Sequence, residues 1–216
     1  MGVTLTQQRV RTKICGITSV EDAGMAVAAG ADAIGLVFYS GSKRCVDVEQ
    51  ARRICAVLPP FVSRVGLFVN AAPEDVSSVV SGCRLDIAQL HGDEKAEQCS
   101  IPGVRVVKAL RLREDTDVSI CEPYYAAGVE AFLLDAWVRD AYGGTGRCAP
   151  WDTAARFARA HNIILAGGLN PANVAAAIEH VKPYAVDVSS GVEQSAGVKD
   201  AEKVRAFVAH VLHPGG

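Results

Sequence analysis

The sequence has no apolar run of transmembrane length and no apolar stretch near Met1, so neither a bilayer span nor a secretory leader is expected. It also lacks an excess of charge. Lys and Arg number 22 against 24 Asp and Glu, a formal net charge of −2. No global basic field therefore points to nucleic acid or an anionic membrane as partner. A local anion site remains open, because backbone N–H groups bind phosphate without adding net charge. The seven cysteines form no framework: their number is odd, and no two stand at the short spacing of a zinc site. Neither disulfides nor a structural metal is expected, and the usage fits a reducing cytoplasm.

What the sequence does contain is alternation. Half of the 216 residues are hydrophobic and 21% are charged, the balance of a globular chain. Short β-branched or apolar runs occur at 12–16, 33–38, 63–69, 87–90, 104–109, 131–134, 163–166 and 185–188. Ala-rich amphipathic stretches separate them at 20–29, 48–58, 73–81, 94–100, 117–126, 151–160, 172–181 and 199–210. Eight strand-then-helix units predict a single-domain (β/α)8 barrel of the TIM type, with 1–10 as a flexible N-terminal extension. Thr18 or Ser19 is placed to cap the first helix, and Gly30 to end it in a left-handed conformation.

In such a barrel the chemistry gathers at the C-terminal ends of the strands. Side chains alternate between lumen and helix layer, so with Ile14 outward Cys15 turns in at the rim. With Phe132 and Leu134 outward, Asp135 faces the lumen. With Val186 and Val188 outward, so does Asp187. Gln89 and His91 share the inward parity of the fourth strand. Four strands thus deliver polar groups to one mouth, which is not how an apolar plug is built. Three glycine-rich loops follow the sixth, seventh and eighth strands. They hold Gly144 and Gly146, then Gly167 and Gly168, then Ser189, Ser190 and Gly191. Loops of this kind after the late strands cradle phosphate.

Each candidate has a plainer reading beside the chemical one. Cys15 as an ordinary cysteine is a small buried hydrophobe. Its strand-end position beside Lys13 favours a reactive thiol, because a neighbouring ammonium stabilises the thiolate. Asp135 has no helix immediately after it to cap, which favours a role in proton transfer. Arg44 is either a solvated loop charge or a planar fork for a carboxylate. His91 reads equally as a structural imidazole or a substrate contact.

Seven motifs occur in order: KICGIT at 13–18, ADAIGLVF at 31–38 with SKR at 42–44, QLHGDE at 89–94, LLDA at 133–136, GGTG at 143–146, LAGGLNPANV at 165–174 and VDVSSGVE at 186–193. Together they resemble the phosphoribosylanthranilate isomerase family of tryptophan biosynthesis, over nearly the whole chain. The resemblance implies an Amadori rearrangement of N-(5-phosphoribosyl)anthranilate, a small phosphosugar substrate, with no cofactor or metal. Cys15 is then the general base and Asp135 the general acid. Arg44 holds the anthranilate carboxylate, with Lys13, His91 and Asp187 on the anthranilate and ribose side. Gly144, Gly146, Gly167, Gly168, Ser189, Ser190 and Gly191 form the phosphate cradle. The resemblance fits a cytoplasmic monomer or homodimer. Two departures stand out: Arg147-Cys148-Ala149-Pro150-Trp151 replaces a Lys-Thr-Phe-Asp-Trp-like run, and Cys45 replaces a frequent aromatic residue. The histidine-pathway isomerase is the nearest alternative, but it carries an aspartate where Cys15 stands. A catalytically silent barrel retained for ligand binding would need neither Cys15 nor Asp135.

Overall fold

The structure, a computed structural model, describes residues 9–136 and 150–214. Eight parallel strands close into a barrel: β1 (Arg11–Cys15), β2 (Ala33–Val37), β3 (Ser63–Phe68), β4 (Ile87–Leu90), β5 (Val106–Leu112), β6 (Ala131–Ala136), β7 (Ile163–Leu165) and β8 (Ala185–Val188). The last strand returns to the first, with Lys13 opposite Asp187 and Ile14 opposite Val188. Helices α1 (Val20–Ala29), α2 (Val48–Ala56), α3 (Pro73–Cys83), α4 (Glu122–Ala126), α5 (Trp151–Ala160), α6 (Val174–Val181) and α7 (Ala201–Leu212) lie between or after the strands.

Strand parity sorts the core into two parts. Ile14, Ile34, Leu36, Phe132, Leu134, Val186 and Val188 pack outward, against helix residues such as Ile54, Phe157 and Phe207. The lumen is filled by smaller clusters, Val107, Ala109, Leu133 and Ala166 in one layer and Cys15, Val37 and Leu67 in another. Small and medium side chains suit that space because eight strands leave only enough room for layered packing. Removing this much apolar surface from water is the main driving force for closure.

The helix ends follow local chemistry. The Ser19 hydroxyl accepts the N–H of Asp22 at 3.1 Å, and Gly30 ends α1 at φ 102°. Asp47 and Asp200 cap α2 and α7 in the same way.

Several expected boundaries move. The stretch 94–100 is only a 3-10 turn, Ala96–Cys99, and 117–126 is a 3-10 turn at Val118–Cys121 running into the short α4. The sixth helix of the expected pattern, Trp151–Ala160, appears unchanged as α5, whereas α6 begins at Val174 and not at 172. Residues 172 and 173 belong to a turn in which the Asn170 side chain accepts the N–H of Ala172. A small antiparallel hairpin, β9 (Glu193–Ser195) and β10 (Val198–Lys199), was not expected at all. Of the expected extension over 1–10, residues 9 and 10 are described. Arg9 grips Asp32 with two hydrogen bonds, at 3.0 and 2.6 Å, and Val10 packs on the core. Residues 1–8 lie outside the described residues. Among the described residues no helix is long and apolar enough to cross a membrane.

Candidate active site

Cys15 ends β1 with 4% of its surface exposed, and Asp135 lies one residue from the end of β6 with 6% exposed. Both face the lumen. Space for the thiol comes from the next strand, where Gly35 stands opposite Cys15. A Cβ there would lie 2.7 Å from Cys15 Sγ and 3.1 Å from Lys13 Cε. The glycine in ADAIGLVF is therefore the gap that lets two inward side chains pass.

Lys13 Nζ donates to Asp187 Oδ1 at 2.8 Å in a buried pair. Burial works against the Lys13 ammonium, but Asp187 and Cys15 outweigh it and raise its pKa. For Cys15 the balance goes the other way. Burial pushes the thiol up, Lys13 and Lys199 pull it down, and the net shift is upward. Lys13 does favour the thiolate, as expected, but burial outweighs it and the Asp187 carboxylate adds to the upward push.

On the opposite side, His91 Nε2 lies 3.3 Å from Asp135 Oδ2, and Gln89 Nε2 lies 2.8 Å from His91 Nδ1. With the Gln89 amide nitrogen toward the ring, Nδ1 is the acceptor and the ring proton sits on Nε2, facing the carboxyl group. Asp135 Oδ1 accepts the N–H of Ala136 at 2.7 Å. Glu94 and Lys108 hold this end of the barrel from behind. The Lys108 ammonium donates to Glu94 at 3.0 Å and to the carbonyls of Leu90, Gly92 and Ala109. Glu94 in turn accepts the N–H groups of Asn70 and Gly92. That network fixes the loop carrying His91.

The loops after β7 and β8 meet around a small cavity of about 40 Å³ bordered by Asp135, Gly167, Gly168, Asp187, Ser189, Ser190 and Gly191. Gly167 and Gly168 have φ of 80° and 66°, and a Cβ on Gly191 would run into the Leu169 carbonyl oxygen. These glycines let two loops touch. The opening N–H groups of the 3-10 turn at Ser190–Val192 have no partner inside that turn, which suits an anion. Gly144 and Gly146 lie outside the described residues. A larger cavity, about 230 Å³, opens at the N-terminal end of the barrel between Arg11, Ala33, Ser63 and Ala185. It meets Lys13 and Gln89 from below and leaves Cys15 and Asp135 on the other side.

Arg44 reaches the mouth from the loop after β2, and one edge of its guanidinium is already taken by a protein carboxylate. Its Nε and Nη2 donate to Glu193 Oε1 and Oε2 at 2.8 and 2.7 Å. Lys199 Nζ donates to the same carboxylate at 2.8 Å, and its side chain is fully buried. Two neighbouring cations keep Glu193 below the usual carboxylate range despite its burial. Glu193 and Lys199 were not anticipated, because nothing local marks them: Arg44 is 149 positions away from Glu193. The only hint was the glutamate closing VDVSSGVE. Among the described residues no cluster of three or more His, Cys, Asp or Glu side chains is arranged to hold a metal.

Residues 12–210 match the family model described as N-(5'phosphoribosyl)anthranilate (PRA) isomerase. An N-(5'-phosphoribosyl)anthranilate isomerase of Geotalea daltonii is 53% identical over 198 residues, covering 92% of this chain and 94% of the relative. The crystal structure of phosphoribosyl anthranilate isomerase from Thermus thermophilus superposes with a TM-score of 0.85 at 40% identity, covering 94% of this chain and 98% of that one. A structure of the isomerase in complex with reduced 1-(o-carboxyphenylamino)-1-deoxyribulose 5-phosphate gives 0.82 at 42% identity, with the same coverage.

Proposed function

The chain belongs to the phosphoribosylanthranilate isomerase family, and from that premise we propose the part each residue at the barrel mouth plays in the isomerisation. The protein catalyses the Amadori rearrangement of N-(5'-phosphoribosyl)anthranilate in tryptophan biosynthesis. Asp135 gives a proton to the ribose ring oxygen. The ring opens to an iminium ion. Cys15, as thiolate, then removes the proton from C2′, and the resulting enolamine tautomerises to the ketone, 1-(2-carboxyphenylamino)-1-deoxyribulose 5-phosphate.

One observation carries this assignment. Cys15 and Asp135 are two buried proton-transfer groups that enter the same lumen at the C-terminal ends of β1 and β6. Neither caps a helix among the described residues, and a barrel concentrates its chemistry at that end. Lys13, paired with Asp187, sets a positive charge beside the thiol, and His91 orients the acid. The loops carrying Gly167, Gly168, Ser189, Ser190 and Gly191 hold the phosphate, and Arg44 takes the anthranilate carboxylate. One barrel domain is part of the same proposal. So is a cytoplasmic location, which the free thiols of the six described cysteines suit.

The test uses substrate generated in situ and followed by anthranilate fluorescence. Cys15→Ala and Asp135→Asn should each lower kcat by roughly 10²–10⁴-fold, the usual contribution of a positioned acid or base. Their melting temperatures should stay near that of the parent. Turnover within a few-fold of wild type in either variant would reject its assigned role.

A further inference from the structure

We infer that Glu193 is a positioning residue for the substrate carboxylate: it grips the side edge of the Arg44 guanidinium so that the end of the fork faces the bound anthranilate. The inference rests on the reading of Arg44 given above. A guanidinium offers five N–H donors in a rigid plane. Glu193 takes Nε–H and one Nη2–H, at 2.8 and 2.7 Å. The other Nη2–H and one Nη1–H form a second edge, wide enough for another bidentate carboxylate. One arginine can thus bind a protein carboxylate and a substrate carboxylate at once.

Two carboxylates near one cation would repel each other without a further positive charge. Lys199 supplies it, with Nζ 2.8 Å from Glu193 Oε1. Arg44, Glu193 and Lys199 together sum to one positive charge, which suits one incoming anion. The hairpin that bears Glu193 and Lys199 is itself fastened. Asp22 accepts the Lys199 N–H at 3.0 Å, and Lys203 Nζ donates to the Glu193 carbonyl at 2.8 Å.

The stem of Arg44 is equally constrained. A Cβ on Gly16, the residue after Cys15, would lie 2.5 Å from Arg44 Cδ. Arg44 therefore passes close against the residue that follows the base. Breaking a buried ion pair by removing one partner is costly, whereas apolar residues fill such space without that risk. A charged trio retained beside the mouth is accounted for by the aim it gives Arg44.

The experiment compares Glu193→Gln, Glu193→Asp, Arg44→Ala and the Arg44→Ala/Glu193→Gln double variant. Each is measured for kcat, KM, affinity for the reduced product analogue and inhibition by inorganic phosphate. Glu193→Gln should raise KM and weaken the analogue about tenfold, with kcat and phosphate inhibition changed by less than about twofold. Glu193→Asp, which keeps the charge, should recover part of that loss. Once Arg44 is gone, Glu193→Gln should add nothing, because contacting residues couple. An unchanged KM in Glu193→Gln overturns the inference, as does a parallel loss of phosphate inhibition or full additivity in the double variant. An unchanged KM in Arg44→Ala would instead overturn the role given to Arg44 itself.

Discussion

At the level of single residues, Cys15 is under opposed influences, with burial raising its pKa and two lysines lowering it. The net upward shift has a sign that can be checked. A base whose pKa lies above its ordinary 9.0 gains its active form only as pH climbs toward that range. kcat/KM should therefore rise from neutral pH into the alkaline region, with its ascending limb on the high side of 9.0. Lys13→Met removes the nearest ammonium, so its limb should move further up, with about tenfold lower activity at neutral pH for each unit of movement. A profile already flat from pH 6 to 8 would show that substrate or closure frees the thiolate by another route. The positions of Cys15 and Asp135 were legible in the sequence, because strand parity needs only the apolar neighbours Ile14, Phe132 and Leu134. The balance of charge around Cys15 was not. It depends on Asp187, 174 positions from Lys13, and on how deeply the thiol is buried.

The elements show where local pattern suffices and where it fails. Capping chemistry placed α1 correctly, and Trp151–Ala160 kept its expected bounds. The stretch 94–100 shows the helical period yet makes only a 3-10 turn. Its first residue, Glu94, is drawn into the loop by Lys108 and by the N–H groups of Asn70 and Gly92. Residues 117–126 divide near Pro123, which has no N–H to continue a helical ladder. The β9–β10 hairpin escaped notice because its strands span only three and two residues. The phosphate loops give the sharpest prediction at this scale. Gly191 has no room for a Cβ beside the Leu169 carbonyl, so Gly191→Ala must push the loops after β7 and β8 apart. Inhibition by inorganic phosphate should weaken at least about tenfold, while the Cys15 pH limb stays in place. Unaltered phosphate inhibition would remove these loops from the anion site.

For the molecule as a whole, the layer between sheet and helices holds the larger part of the apolar core. Phe132 is fully buried there, with the Tyr125 ring edge-on at 4.9 Å. Phe132→Ala should cost about 3–5 kcal/mol by chemical denaturation, the usual range for losing a buried aromatic side chain. A loss below about 1 kcal/mol would mean that the cavity collapses without strain. The barrel's closure was legible from eight alternating units, but the contacts that join its two ends were not, since each lies between residues far apart in the chain. Lys13 pairs with Asp187, and Asp22 receives the N–H of Lys199. These contacts have a consequence for synthesis. A ribosome delivers β1 long before β8 exists, so a nascent Lys13 has no counter-ion beside which to be buried. Its pair with Asp187, and the grip of Glu193 on Arg44, can form only when the final strand and hairpin emerge. The charges at the barrel mouth are thus balanced by the last part of the chain to be made.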